Sequence, residues 1–76
     1  MDITIIDGTC ARDIKVNRKQ RIEDTVTVLR KCGLLERQEF NFYTIFSKRK
    51  EIRINRHLTY EQAEIYTGDI LYIEGE

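Results

Sequence analysis

His57 is the single histidine, and so the one side chain whose ordinary titration suits acid–base work near neutral pH. It stands between Arg56 and Leu58 with no acid–base or ligand partner visible beside it, and reads as a solvated loop histidine. Cys10 and Cys32 are the only cysteines. A nucleophilic cysteine needs surroundings that favour its thiolate, but the charges near Cys10 (Asp7, Arg12, Asp13) are mixed. A zinc site needs about four ligands, and two cysteines with one histidine fall short. Gly8 is alone near the first turn, so no loop there can cradle a phosphate. No Ser-His-Asp or Cys-His set assembles. The expectation is a protein with no catalytic residue, no metal and no cofactor, and hence not an enzyme.

Two basic clusters remain. Lys15, Arg18, Lys19 and Arg21 form the first, and Lys48, Arg49, Lys50, Arg53 and Arg56 the second. Single-strand nucleic-acid binders interleave such charges with stacking aromatics, and only Tyr43 and Phe46 are available. A solvated face is the favoured reading and nucleic acid the disfavoured one.

Size and charge restrict the function further. The 76 residues make one domain, spanning 1–76, with one thin core. The 13 basic and 13 acidic side chains cancel, leaving no global field to draw in nucleic acid or anionic lipid. No apolar run approaches the roughly 20 residues of a membrane span. Met1-Asp2-Ile3 lacks the basic start of a signal peptide. A cytoplasmic protein with reduced cysteines is expected.

The elements follow from periodicity. Ile3 and Ile5 alternate up to an Asp7-Gly8 turn, and Ile14 and Val16 alternate after it, which predicts an antiparallel hairpin. Ile22, Val26 and Leu29 form a helical stripe. Glu23 and Asp24 near its start, Arg30 and Lys31 near its end, and Gly33 beyond it bound a helix from Ile22 to Cys32. Phe40 to Phe46 is rich in strand formers. A polar turn and a short strand from Glu51 to Asn55 follow, with Ile52 and Ile54 on one side. Thr59 to Ile65 reads as a short helical turn, Gly68-Asp69 as a tight turn, and Ile70 to Glu74 as the last strand.

That order, β-β-α-β-β-short helix-β, resembles the α+β ubiquitin-like β-grasp, whose first and last strands pair in parallel beneath one helix. Ile45-Phe46-Ser47-Lys48 resembles the third-strand segment of ubiquitin, and Leu58-Thr59, Ile65 and Leu71 its last loop and strand. Ile65-x-x-Gly68-Asp69-x-Leu71-x-Ile73 is similar to the small YukD-like proteins, ubiquitin-like components of bacterial type VII (WXG-type) secretion systems. TGS domains and sulfur carriers close their β-grasp in the same way. Covalent use of the fold needs a terminal glycine preceded by another. Here Gly75 is single and Glu76 follows it, so a modifier or sulfur carrier is the less expected member of the group.

What the resemblance implies is a non-conjugated module that acts by protein–protein contact, as an accessory or regulator of a type VII secretion system. A TGS-like nucleic-acid module is the alternative. Leu71 and Ile73 should face the helix with Ile3, Ile5, Ile14 and Val16, which turns Ile70 and Tyr72 outward. Ile6 and Ile45 join them, Ile45 because it resembles the outward third-strand position of ubiquitin's contact patch. The residues alone leave two phases open: Phe42, Thr44 and Phe46 on one face, or Tyr43 and Ile45. The expected partner site is Ile6, Ile45, Ile70 and Tyr72, a patch on the open sheet face that takes a protein and no small molecule.

Overall fold

The computed structural model describes residues 1–34 and 43–75. Phe40, Asn41 and Phe42, expected to open the third strand, lie outside the described residues, as does Glu76. The elements are β1 (Asp2–Asp7), β2 (Cys10–Lys15), α1 (Ile22–Lys31), β3 (Tyr43–Ser47), β4 (Ile52–Ile54) and β5 (Ile70–Gly75). One five-stranded sheet has the order β2-β1-β5-β3-β4. β5 is its centre, parallel to β1 and antiparallel to β3. The β-grasp expected from the sequence is the fold observed.

Each junction has a local cause. Gly8 adopts φ +60, and two residues link Asp7 to its partner Cys10, so the hairpin closes as tightly as a two-residue turn allows. α1 begins without a side-chain cap. Its first amides instead donate to loop carbonyls, Ile22 N to Leu58 O and Glu23 N to Arg56 O, both at 3.0 Å. Gly33 ends the helix at φ +70, as expected of a glycine beyond the last turn.

The helical turn expected over Thr59 to Ile65 is not a helix but a capped turn. Thr59 N donates to Gln62 Oε1 and Gln62 N to Thr59 Oγ1, both at 3.0 Å. This is the reciprocal pattern that starts helices. One helical bond follows, from Ala63 N to Thr59 O, before Glu64 swings to φ +57 and stops the coil.

The core lies between α1 and one sheet face. Ile3, Ile5, Val16, Leu71 and Ile73 are buried there with Ile22, Val26 and Leu29, and Ile14 packs at its margin. Tyr60, absent from the sequence-derived core, is fully buried from the long loop, and its hydroxyl meets Thr25 Oγ1 at 2.7 Å. Burial pushes the Tyr60 phenol up to about 12. No buried side-chain nitrogen or oxygen among the described residues lacks a hydrogen-bond partner.

Candidate protein-docking face

The sheet face away from α1 is built by strand alternation. Buried Ile3, Ile5 and Asp7 on β1 leave Thr4 and Ile6 outward, and buried Leu71 and Ile73 on β5 leave Ile70 and Tyr72 outward. The register then aligns them. Thr4 lies beside Ile70 and Ile6 beside Tyr72. Tyr72 in turn faces Phe46 on β3, and Phe46 faces Arg53 on β4. Ala11 of β2 adjoins Ile6. One transverse row, Ala11–Ile6–Tyr72–Phe46–Arg53, therefore crosses all five strands.

At the centre of the row the Phe46 and Tyr72 rings lie 6.4 Å apart at 51°, a tilted contact within the favoured range for aromatic pairs. Ile6, Phe46, Ile70 and Tyr72 are each half-buried, with one side supported by neighbours and the other open. Arg53 Nε approaches Glu74 Oε1 at 3.6 Å at one edge of the patch. At the other, the Thr4 hydroxyl donates to Asp13 Oδ1. The face is thus an apolar centre rimmed by both signs of charge.

Ile6, Ile70 and Tyr72 stand where the sequence places them, but Ile45 does not. It is 1% exposed, packed in the core between Ile54 and Ile73, which oppose it on the two neighbouring strands. The outward third-strand residue is Phe46. The cause is the hairpin that follows: Ser47 pairs with Ile52 across four turn residues, so Ile45 must face the same way as Ile54. A four-residue turn combined with an inward Ile54 was the signal in the sequence that could have set the phase.

That register also turns Ser47 inward, where it is fully buried and donates to Asp69 Oδ2 at 2.8 Å. Asp69, which the sequence presents only as half of a tight turn, is a buried polar partner of that strand. Its carboxylate is 1% exposed and also accepts from Ile70 N at 2.8 Å and Arg49 N at 3.2 Å. It clamps the β3–β4 turn onto the start of β5, fixing the strands that carry Phe46 and Tyr72 relative to one another.

The second basic cluster is largely consumed by the fold. Arg49 donates to Glu64 O at 2.6 Å, has Nε 3.8 Å from Asp69, and lies 5.0 Å over the Tyr66 ring. Lys50 donates to Ala63 O at 2.9 Å and lies 3.6 Å from Glu64. Arg56 sits 4.3 Å over the Tyr43 ring, whose phenol is raised by burial and partly restored by that cation. His57 has the partner that its sequence neighbours do not show. Its Nδ1 lies 2.9 Å from Glu23 Oε2 at the head of α1, although the imidazole itself is mostly exposed. Cys10 and Cys32 are free thiols.

No protein-family model and no curated protein matches the chain. Among solved structures, it is similar to the EccD5 ubiquitin-like domain from Mycobacterium xenopi. The likeness covers 99% of this chain and 92% of that one, with a TM-score of 0.63 and 16% sequence identity. At that identity the shared property is architecture: this chain has the ubiquitin-like β-grasp fold.

Proposed function

We propose that this protein is a non-conjugated ubiquitin-like interaction module, an accessory or regulatory component of a bacterial type VII secretion system that works in the cytoplasm and catalyses no reaction. The observation that carries the contact reading is the transverse row. Ile6, Tyr72 and Phe46 form a contiguous apolar strip on a face that no element among the described residues covers. Tyrosine and phenylalanine at the centre of such a strip supply large contact area at low entropic cost, and the phenol keeps one end compatible with water. The secretion assignment draws its support from the YukD-like closing pattern and from the likeness to an EccD5 ubiquitin-like domain. The occupant is a protein component of the secretion machine that presents an apolar knob to Tyr72 and Phe46, with charges of both signs at its rim to meet Arg53, Glu74 and Asp13.

The nucleic-acid alternative draws less support. Arg49, Lys50, Arg53 and Arg56 all have intramolecular partners, so few cations of that cluster stand ready for phosphates.

The test is binding of the purified chain to purified soluble domains of the type VII machinery encoded in the same genome. Tyr72→Ala and Phe46→Ala should each weaken capture by about 2 kcal/mol, a loss of some thirtyfold in affinity. His57→Ala and Cys10→Ser should bind as the wild type. Wild-type affinity in the two aromatic variants would refute the docking face. Failure of every secretion domain to bind would refute the secretion assignment.

A further inference from the structure

The two basic clusters differ in a way that charge counts hide. Four residues of the second are held by carboxylates, carbonyls or a ring. In the first, Lys15, Arg18, Lys19 and Arg21 are all exposed. Among the described residues, none of their side chains has an ion pair or a hydrogen bond. The fold brings Asp2 opposite Lys15 in the β1–β2 ladder and sets the Glu61 amide against the Arg18 carbonyl. Neither carboxylate closes on a cation among the described residues.

The backbone beneath these charges is fixed. Gln20 N donates to Asn17 O at 2.9 Å, closing a tight turn with Arg18 and Lys19 at its two central positions. Lys19 N donates to Asn17 Oδ1 at 2.9 Å. The Arg18 and Gln20 carbonyls accept from Glu61 N at 2.8 Å and Tyr60 N at 3.2 Å, and Arg21 bridges to Thr59 before α1 begins. Four cations therefore stand together on the pinned connection between β2 and α1.

Charge is also distributed one-sidedly. Residues 15–21 hold four cations and no acid, while the rest of the chain sets nine cations against 13 acids. A neutral total thus conceals a positive segment on a negative remainder, which turns that segment toward any anionic surface. Val16, the one apolar side chain of the segment, is buried, and no aromatic residue occurs in it. Single nucleic-acid strands are held by stacking as well as charge, and no stacking group is present here. A bilayer headgroup layer asks for charge alone. Each Lys or Arg near such a layer raises binding about fivefold, so four raise it by roughly several hundredfold over a neutral bilayer.

We propose that the β2–α1 connection docks on an anionic phospholipid bilayer, with Lys15, Arg18, Lys19 and Arg21 in the headgroup layer and nothing inserted. One such signal gives weak, reversible attachment, so its effect is to orient a domain that another contact holds nearby. The segment shares no residue with the Phe46–Tyr72 row. Lys15 stands four residues along β2 from Ala11 of that row, about 13 Å away. A protein can therefore occupy the row while the connection rests on lipid, and the proposal does not depend on the secretion reading.

The probes are sedimentable vesicles of phosphatidylcholine alone and of phosphatidylcholine mixed with phosphatidylglycerol in equal parts. The full chain should sediment with the mixed vesicles and stay in solution with phosphatidylcholine, and binding should fall as salt is raised. The triple variant Arg18→Gln, Lys19→Gln, Arg21→Gln should bind roughly a hundredfold more weakly. A charge-matched variant, Lys31→Gln, Lys48→Gln, Arg53→Gln, should lose less than about fivefold, because screening confines the effect to cations near the surface. Tyr72→Ala should bind as the wild type, and circular dichroism checks that each variant is folded. Bicelles of the same mixed lipids should shift the amide resonances of Lys15–Arg21 and spare those of Phe46 and Tyr72. The proposal is overturned if phosphatidylcholine vesicles bind as well, if the charge-matched variant loses as much as the loop variant, or if the shifts fall on Phe46 and Tyr72. It is also overturned if a single-stranded oligonucleotide or a poly-glutamate peptide binds the connection more tightly than the mixed vesicles do. Inorganic phosphate should displace the chain no better than chloride at equal ionic strength, and selective displacement would replace the bilayer with a phosphate site.

Discussion

Ile45 and Phe46 are neighbours in the chain and occupy opposite faces, so a pair of truncations separates core from surface. Ile45 is 1% exposed between Ile54 and Ile73. Ile45→Ala deletes three buried carbons, worth about 2.4 kcal/mol at ~0.8 kcal/mol each. Incomplete collapse of the resulting cavity raises the cost to roughly 3–4 kcal/mol. A chain of this size has a total stability on the order of 4–11 kcal/mol, so the variant loses between about a quarter and all of its margin. For so small a domain the melting temperature should fall by roughly 12–32 °C. Phe46→Ala removes a half-buried ring whose chief support is Tyr72, and should cost only about 1 kcal/mol. Thermal and urea unfolding followed by circular dichroism measure both variants. If Phe46→Ala destabilises as much as Ile45→Ala, β3 is phased the other way and Ile45 belongs to the open face.

Two further outcomes test the supports of the face. Asp69→Ala strips acceptors from the Ser47 hydroxyl and from the amides of Arg49 and Ile70, and should cost about 2–4 kcal/mol in urea titration; a loss below 1 kcal/mol would mean that water replaces the carboxylate. Burial raises the Tyr60 phenol from 10.0 to about 12, so the folded state favours its neutral form. The associated stability is present below pH 10 and is lost as pH climbs toward 12. Stability measured across that alkaline window should fall less steeply in Tyr60→Phe than in the wild type, and equal slopes would refute the assignment.

The sequence was legible where a pattern had one solution. Ile3 and Ile5, Ile14 and Val16, and Leu71 and Ile73 alternate cleanly, and the stripe of Ile22, Val26 and Leu29 admits only a helix. The central position of the last strand came from resemblance, and the sheet order agrees. The phase of β3 was not legible, because Tyr43, Ile45 and Phe46 make both of its faces apolar, and alternation is blind there. Register decided it, through a four-residue turn and an inward Ile54 on the next strand, a signal that lies outside β3 itself. Asp69 and Ser47 were hidden for another reason. A buried hydroxyl and carboxylate that satisfy each other look, residue by residue, like ordinary turn polarity. The Glu23–His57 contact and the pairing of the second basic cluster bring loop and helix together across tertiary distance, so no local spacing announces them.

The place of β5 between β1 and β3 has a consequence for how the chain acquires its structure. The first strand cannot complete its inner ladder until the last has been synthesised, and β3 waits on the same segment. During translation the β1–β2 hairpin and α1 can form early, but the sheet stays split in two, with both inner edges exposed as templates for pairing with other chains. Such non-local closure makes for slow folding relative to a helical protein of equal length. Polar Thr4 and Thr44, flanking the gap that β5 will fill, hold down the apolar content of those edges while they wait. Arrival of Ile70–Gly75 is therefore the step that converts two separate half-sheets into one cooperative unit.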